Sequence, residues 1–172
     1  SGTNRELLKV LEESKRAIQK FSTDAVKNGK GIDKAFEATA AVIESGFATI
    51  DRIYEENKTA LKDLQKQYEE LGSRAGKAFM EGRYEEYRTL TAQQNVLKSE
   101  INLRQQVISE VEKQADALLK EEQELNKQRE AAERSARAQQ SLETQLRKCR
   151  EALVQMEAEG KRNTEEFRQM QE

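Results

Sequence analysis

The sequence contains no proline, no histidine, no tryptophan and only one cysteine among its 172 residues. Histidine is the commonest general base and a usual ligand of zinc and copper, so its absence argues against nucleophilic triads and the common metal sites. The single Cys149 is unable to form an intrachain disulfide, and we expect a reducing compartment. Without proline, the sequence also lacks the residue that most strongly interrupts a helix.

Apolar residues are scarce as well. Only 35% of positions are hydrophobic and 36% are charged, whereas globular domains contain about 45 to 50% apolar residues. This composition favours an elongated helical molecule over a rounded core. No run of about 18 apolar residues is present, and the amino terminus has no basic region followed by an apolar one, so the sequence predicts neither a membrane span nor a signal peptide. Because the net charge is only -2, we predict no direct binding to nucleic acid and no membrane contact.

Helical spacing of the apolar residues divides the chain into long rods. Residues 4–27 form an amphipathic helix, and the glycine-containing stretch 28–31 connects it to the next one. Residues 32–71 form a first long coiled-coil helix, in which apolar residues recur with alternating spacings of four and three. Asn57 is the polar exception in this seam, and a polar seam residue commonly fixes the register.

The second half of the chain begins with glycines. We expect a glycine-rich turn with a short helix over residues 72–83, where the chain reverses, and a second long helix over 84–159. The apolar stripe of this helix weakens from about residue 122 to 139 and resumes at Leu142 with its phase displaced by three residues, which indicates overwinding, a bend near 122–142 or a change of partner. Residues 163–172 begin a further helix. The predicted turn residues are Gly72, Gly76, Gly82 and Gly160.

We predict no catalytic, cofactor-binding or metal site. Adjacent acids such as Glu55 and Glu56 point about 100° apart on a helix and do not converge. The glycines of the turn are not followed by Gly-Lys-Ser/Thr, which a phosphate-binding loop needs. The residues expected to act are those of the coiled-coil seam, which work by packing: Phe36, Ile43, Phe47, Ile50, Tyr54, Asn57, Leu61, Leu64, Tyr68, Leu71, Leu97, Ile101, Ile108, Val111, Leu118, Leu125, Leu142, Leu146 and Leu153.

The carboxyl-terminal part of the sequence carries a more specific pattern. Residues 141–153 follow the form Ser-Leu-x-x-Gln-Leu-Arg-x-x-x-x-x-Leu, and residues 160–167 follow the form Gly-x-x-x-Thr-x-x-Phe. Together they resemble tail tape-measure proteins of bacteriophages and prophages. Upstream of residue 141 the likeness is one of style, a long proline-free coiled coil. Asn163 departs from the family pattern, in which glycine is expected at this place.

The resemblance implies a non-enzymatic virion component around which tail-tube subunits assemble, and whose length sets the length of the tail. Its partners would be itself, as a hairpin or homo-oligomer, and tail-tube or tail-assembly proteins. Its location would be the bacterial cytoplasm during assembly and then the virion tail. Two other classes stay open: a coiled-coil arm or adaptor of a larger bacterial machine, such as a secretion translocator or an ATPase hairpin, and a lysine or carboxylate enzyme.

The expected fold is all-α and elongated, an antiparallel hairpin of 32–71 against Tyr84 to about Leu125. The chain begins Ser1-Gly2-Thr3 without an initiator methionine and stops just after a new helical pattern starts, so we expect a segment of a longer protein. A fully extended helix of this length would measure about 260 Å, which the glycine turn contradicts. We therefore expect the hairpin to open or repack in an assembled tail.

Overall fold

The computed structural model describes residues 2–28, 31–160 and 169–170. Within these ranges the chain is all-α, which confirms the predicted class, and it forms α1 (Gly2–Asn28), α2 (Ile32–Met80) and α3 (Tyr84–Ala158). At a rise of about 1.5 Å per residue, α3 alone is roughly 110 Å long. The helix predicted over 163–172 lies outside the described residues, apart from 169–170, which are helical.

The second and third helices run antiparallel. Near the turn between them, the side-chain amide of Gln94 donates to the carbonyl oxygen of Tyr68 over 3.0 Å. Farther away, Arg104 donates to Asn57 over 3.0 Å. At the far end, the Arg129 guanidinium lies 3.6 Å from the Asp33 carboxylate. Residue numbers rise along α3 as they fall along α2, so the two helices lie side by side in opposite directions.

The chain reverses at Gly82, later than the sequence predicts. The α2 helix continues through Gly72 and Gly76 to Met80, so the structure has neither a break nor a separate short helix over 72–80. Gly82 has φ of 75°, in the left-handed region that favours glycine. The backbone N–H of Arg83 donates to Ala78 over 2.8 Å, which closes the helix end in the way typical of a glycine cap.

Packing explains why α2 continues through Gly72 and Gly76. Ala75, Ala78 and Leu90 are buried together beside the turn, and Leu71 and Tyr87 pack against them. This burial outweighs the cost of about 1 kcal/mol that each glycine adds within a helix.

Gly72 also has a local role. A Cβ added to it would lie 2.7 Å from Nε2 of Gln94. Its missing side chain gives Gln94 the room to reach the Tyr68 carbonyl group, a contact that joins α3 to α2. This glycine therefore serves helix pairing and does not form a turn.

The first helix packs antiparallel to α2 over the half that lies far from the turn. Glu6 forms an ion pair with Arg52, and at the other end of α1 the Phe21 and Phe36 rings meet edge to face with centroids 6.3 Å apart. All three helices come together at Gly46. The molecule therefore has a three-helix half and, toward the turn, a two-helix half.

The larger of the two buried clusters among the described residues lies in the three-helix half, where two stripes of α2 are buried. One stripe is the predicted seam. The other repeats every seven residues and faces α1: Ile32, Thr39, Gly46 and Ile53. The buried hydroxyl group of Thr39 donates to the carbonyl oxygen of Ala35 over 2.9 Å, so its burial leaves no unsatisfied donor. We call α1, α2 and residues 84–136 the helical body, because the packed core ends at Ala136.

Candidate interaction surface

The structure places most of the predicted seam residues inside the helical body. Six of them are buried: Ile43, Ile50, Asn57, Val111, Leu118 and Leu125. The other seam residues of the body are partly buried: Phe36, Phe47, Tyr54, Leu61, Leu64, Tyr68, Leu71, Leu97, Ile101 and Ile108. Two predicted seam residues, Leu142 and Leu146, are exposed, and Leu153 is partly buried. The seam is thus buried or partly buried along the body, and beyond the body it is exposed at Leu142 and Leu146.

Asn57 marks the place where the three-helix half becomes the two-helix half. Its side-chain nitrogen donates to the Ile53 carbonyl oxygen over 2.7 Å, and its oxygen accepts from Arg104 over 3.0 Å. Thr3 and Asn4, at the start of α1, line the same surface groove. A buried amide that makes both bonds is satisfied. Since only one alignment of α2 and α3 joins Asn57 to Arg104, the pair favours that register.

Arg129 closes the other end of the body. It is one of the polar residues at which the apolar stripe of α3 weakens. Its guanidinium lies 4.2 Å from the centroid of the Phe36 ring, a cation–π distance. It also bonds to Glu133 over 3.1 Å. The charged group therefore lies over the Phe36 ring, at the border of the core.

Surface ion pairs flank the body without forming a reactive centre. The pKa of Arg52 is raised above its usual value, first by its hydrogen bond to Glu56 and then by the charge of Glu6. The pKa of Arg83 is raised by its hydrogen bonds to Glu81 and Glu86. Exposed pairs of this kind add little to stability.

Residues 137–158, which we call the α3 extension, project beyond the helical body. Every residue from 137 to 152 is exposed. Leu142 and Leu146 keep 61% and 58% of their surface exposed. With Cys149, Leu153 and Met156 they form a stripe at spacings of four, three, four and three, which we call the extension ridge. Such spacing is typical of a coiled-coil seam, so the extension has the surface of a helix that packs against another.

A second uncovered apolar surface lies at the hairpin tip. Phe79, Met80 and Tyr84 are all more than half exposed. The Phe79 ring contacts the rings of Tyr84 and Tyr87, with centroids 5.8 and 5.2 Å away. The tip is thus a small aromatic cluster on the end of a rod.

Among the described residues, no three or more Cys, Asp or Glu side chains are grouped so that they could hold a metal ion. In the same residues, no helix is long and apolar enough to cross a membrane. Cys149 is exposed on the extension ridge and is a free thiol. The apolar residues that the structure presents to solvent therefore belong to helix faces, and these faces are the candidate functional surfaces.

Sequence reasoning missed part of this arrangement. It did not find the second stripe of α2, because Thr39 and Gly46 are not apolar and the stripe is visible only from its seven-residue repeat. It also placed Leu142 and Leu146 in the same seam as the body residues. The displaced phase after residue 139 was the available signal that the partner changes there.

No protein-family model, curated protein or solved structure matches this chain.

Proposed function

We propose that this chain is a structural helical segment that acts by packing, within a tail tape-measure protein of a phage or prophage. The observation that carries the proposal is the α3 extension, a long helix on which the ridge residues Leu142, Leu146 and Cys149 are exposed. An amphipathic helix is only marginally stable in water without a partner, so this face calls for one. The likeness of residues 141–168 to tape-measure proteins supports the choice of class.

In a virion, each part of the molecule would have its own function. The helical body is a rod of fixed length, and the extension and hairpin tip are the places where further protein packs. In this role the partners are the chain itself and tail-tube or tail-assembly proteins, in the bacterial cytoplasm and then in the virion tail. Under the proposal the antiparallel hairpin opens or repacks when the tail assembles.

The test is an in-frame deletion within the parent phage or prophage gene. If the segment measures the tail as an extended helix, removal of residues 84–158 shortens the tail by about 110 Å. Electron microscopy of virions measures that length. A matched set of exposed-face substitutions, which leaves the number of residues unchanged, serves as the control and leaves the tail at its normal length. Tails of normal length after the deletion would contradict the proposal.

The hairpin tip favours a second candidate, a coiled-coil arm of a larger bacterial machine. Arms of this kind present their distal end to a partner, and Met80 at the tip keeps 84% of its surface exposed. On this alternative, Met80→Asp weakens the machine's activity while the arm stays folded. In a tail, by contrast, the deletion of residues matters and the single tip substitution does not.

A further inference from the structure

We propose that the extension ridge binds the same ridge of a second copy of this chain, antiparallel, with the twofold axis between Arg147 and Lys148. This inference deepens the proposed packing function, and rests on it, by naming the partner, the orientation and the register. Three properties of the α3 extension support it: its length, its apolar layers and its charges.

The length of the extension fits this axis. Residues 137–158 have their midpoint between Arg147 and Lys148, so in the proposed register each extension spans the whole of the other. The packed core of each body ends at Ala136, beside the point where the helix of the second copy ends at Ala158. Gly160, with φ of 75°, stops the helix just there. The two bodies thus lie at opposite ends of the dimer and do not collide.

The apolar layers fit as well. With this axis, Leu142 lies opposite Leu153 of the second copy, and Leu146 lies opposite Cys149 of the second copy. The twofold axis repeats both layers, which gives four consecutive layers without a charged residue. Cysteine acts as a small hydrophobic residue in such a place. The residues that this dimer buries include Leu142 and Leu146, the most exposed of the predicted seam residues.

Charge selects this register from its neighbours. In an antiparallel pair the residues that follow the d positions face each other along one edge of the seam, and here they are Glu143 and Arg150. The axis between Arg147 and Lys148 brings Glu143 of each copy beside Arg150 of the other, two attractive pairs. A slide of one heptad would instead oppose Glu143 to Glu143, or Arg150 to Arg150. Such like-charge contacts are destabilising.

A parallel dimer offers no such attraction. There, Glu143 would face Ala138 and Arg150 would face Gln145. It would also bring the two helical bodies side by side at residue 137. The antiparallel pair is therefore the one arrangement that the ridge, its edge charges and its length all favour.

The first experiment measures association of the full chain by sedimentation equilibrium. A short interface of four layers predicts a weak dimer with a Kd of about 10 to 100 µM. Leu146→Asp places a charge in two of the four layers and weakens the dimer by at least about a hundredfold. Val154→Asp is the matched control, since Val154 is 66% exposed on the same helix but lies beside the ridge. It leaves the Kd within about twofold.

The second experiment tests orientation and register by charge reversal. Glu143→Arg or Arg150→Glu turns both attractive pairs into repulsive ones and weakens the dimer by about tenfold, and the double variant restores it. Lys148→Glu, on the outer face, is the control and has little effect. In a parallel dimer the double variant would restore nothing, because residues 143 and 150 would not face each other.

Small-angle scattering supplies an independent measure of shape. The antiparallel dimer is roughly 190 Å long, whereas a monomer or a parallel dimer is roughly 115 Å long. A wild-type chain that stays monomeric at about 1 mM overturns the inference, whether its ridge is bare or covered by residues 161–172. A dimer of the shorter length overturns it too. A monomer with an intact hairpin leaves the tape-measure proposal standing, because that proposal is tested by tail length.

Discussion

Asn57 is a polar residue buried in the seam between α2 and α3. Its side chain is 5% exposed, and it joins α2 to α3 through Arg104. Its place in the seam was predictable from the heptad spacing, whereas the identity of its partner was not. Arg104 is one of many charged residues of α3, and only the register of the two helices selects it. Its role in fixing that register stays a prediction.

Loss of the Asn57 amide leaves Arg104 partly buried without its acceptor. We expect Asn57→Ala to lower the free energy of unfolding by about 1 to 2 kcal/mol. In a double-mutant cycle with Arg104→Ala, we expect a coupling energy of about 1 kcal/mol. Denaturant unfolding measures both, and the exposed Asn126→Ala is the control, which changes stability by only a few tenths of a kcal/mol. Additive effects of the two substitutions would show that the contact contributes nothing.

Two glycines of α2 have opposite roles, although both are helical. An added Cβ at Gly46 would lie 2.8 Å from Cγ1 of Val10 and 3.2 Å from Cδ2 of Leu118, whereas at Gly76 it would meet nothing within 4 Å. We expect Gly46→Ala to lower the unfolding free energy by about 1 kcal/mol, since crowding exceeds the gain in helix propensity. Gly76→Ala raises it by up to about 1 kcal/mol. Equal effects in thermal unfolding would rule out the close three-helix contact.

At the scale of elements, the alternating spacing of four and three between apolar residues predicts the two long helices. It predicts neither where they end nor that α1 packs against them. The sequence placed the end of the first long helix at Leu71, because Gly72 and Gly76 resemble a helix stop. Tertiary contacts of Ala75 and Ala78 carry the helix past them. Only Gly82 has the left-handed backbone that ends it. The end of α2 thus depends on the packing of Ala75 and Ala78 against Leu90 of α3. No local sequence pattern reveals this contact.

The sequence predicts an apolar face on α1 but does not predict which helix packs against it. The structure packs that face against both α2 and α3. Phe21, which is 1% exposed, is the largest fully buried residue of α1. We expect Phe21→Ala to lower the unfolding free energy by about 3 to 4 kcal/mol. Phe79→Ala, at the half-exposed tip, serves as the matched control and costs about 1 kcal/mol. If both cost the same, α1 does not contribute to the core as the structure shows.

For the whole molecule, the division into body and extension separates folding from association. The body contains the buried core, while the extension is a single helix whose ridge residues Leu142, Leu146 and Cys149 are exposed. Hydrophobic pattern alone makes these parts look alike, since both carry heptads. They differ because the lengths of α1 and α2 determine how much of α3 is covered. The covered length of α3 is a property of the assembled fold and cannot be read from the heptads alone.

A chain that ends at Ala136 tests this division. We expect it to fold with an unfolding temperature within a few degrees of the full chain, because residues 137–152 are exposed and contribute no core contact. Its length in small-angle scattering falls to roughly 80 Å. It stays monomeric at concentrations where the full chain associates. Circular dichroism, scattering and sedimentation measure the three quantities.

The control for that truncation is a chain that ends at Ser109. It removes Val111, Leu118 and Leu125, all buried against α1 and α2, so we expect it to lose cooperative unfolding. If the chain ending at Ala136 behaves in the same way, the extension belongs to the folding unit and its ridge is covered by the body. If only the shorter chain fails, the body folds by itself, and the extension is free to bind another helix.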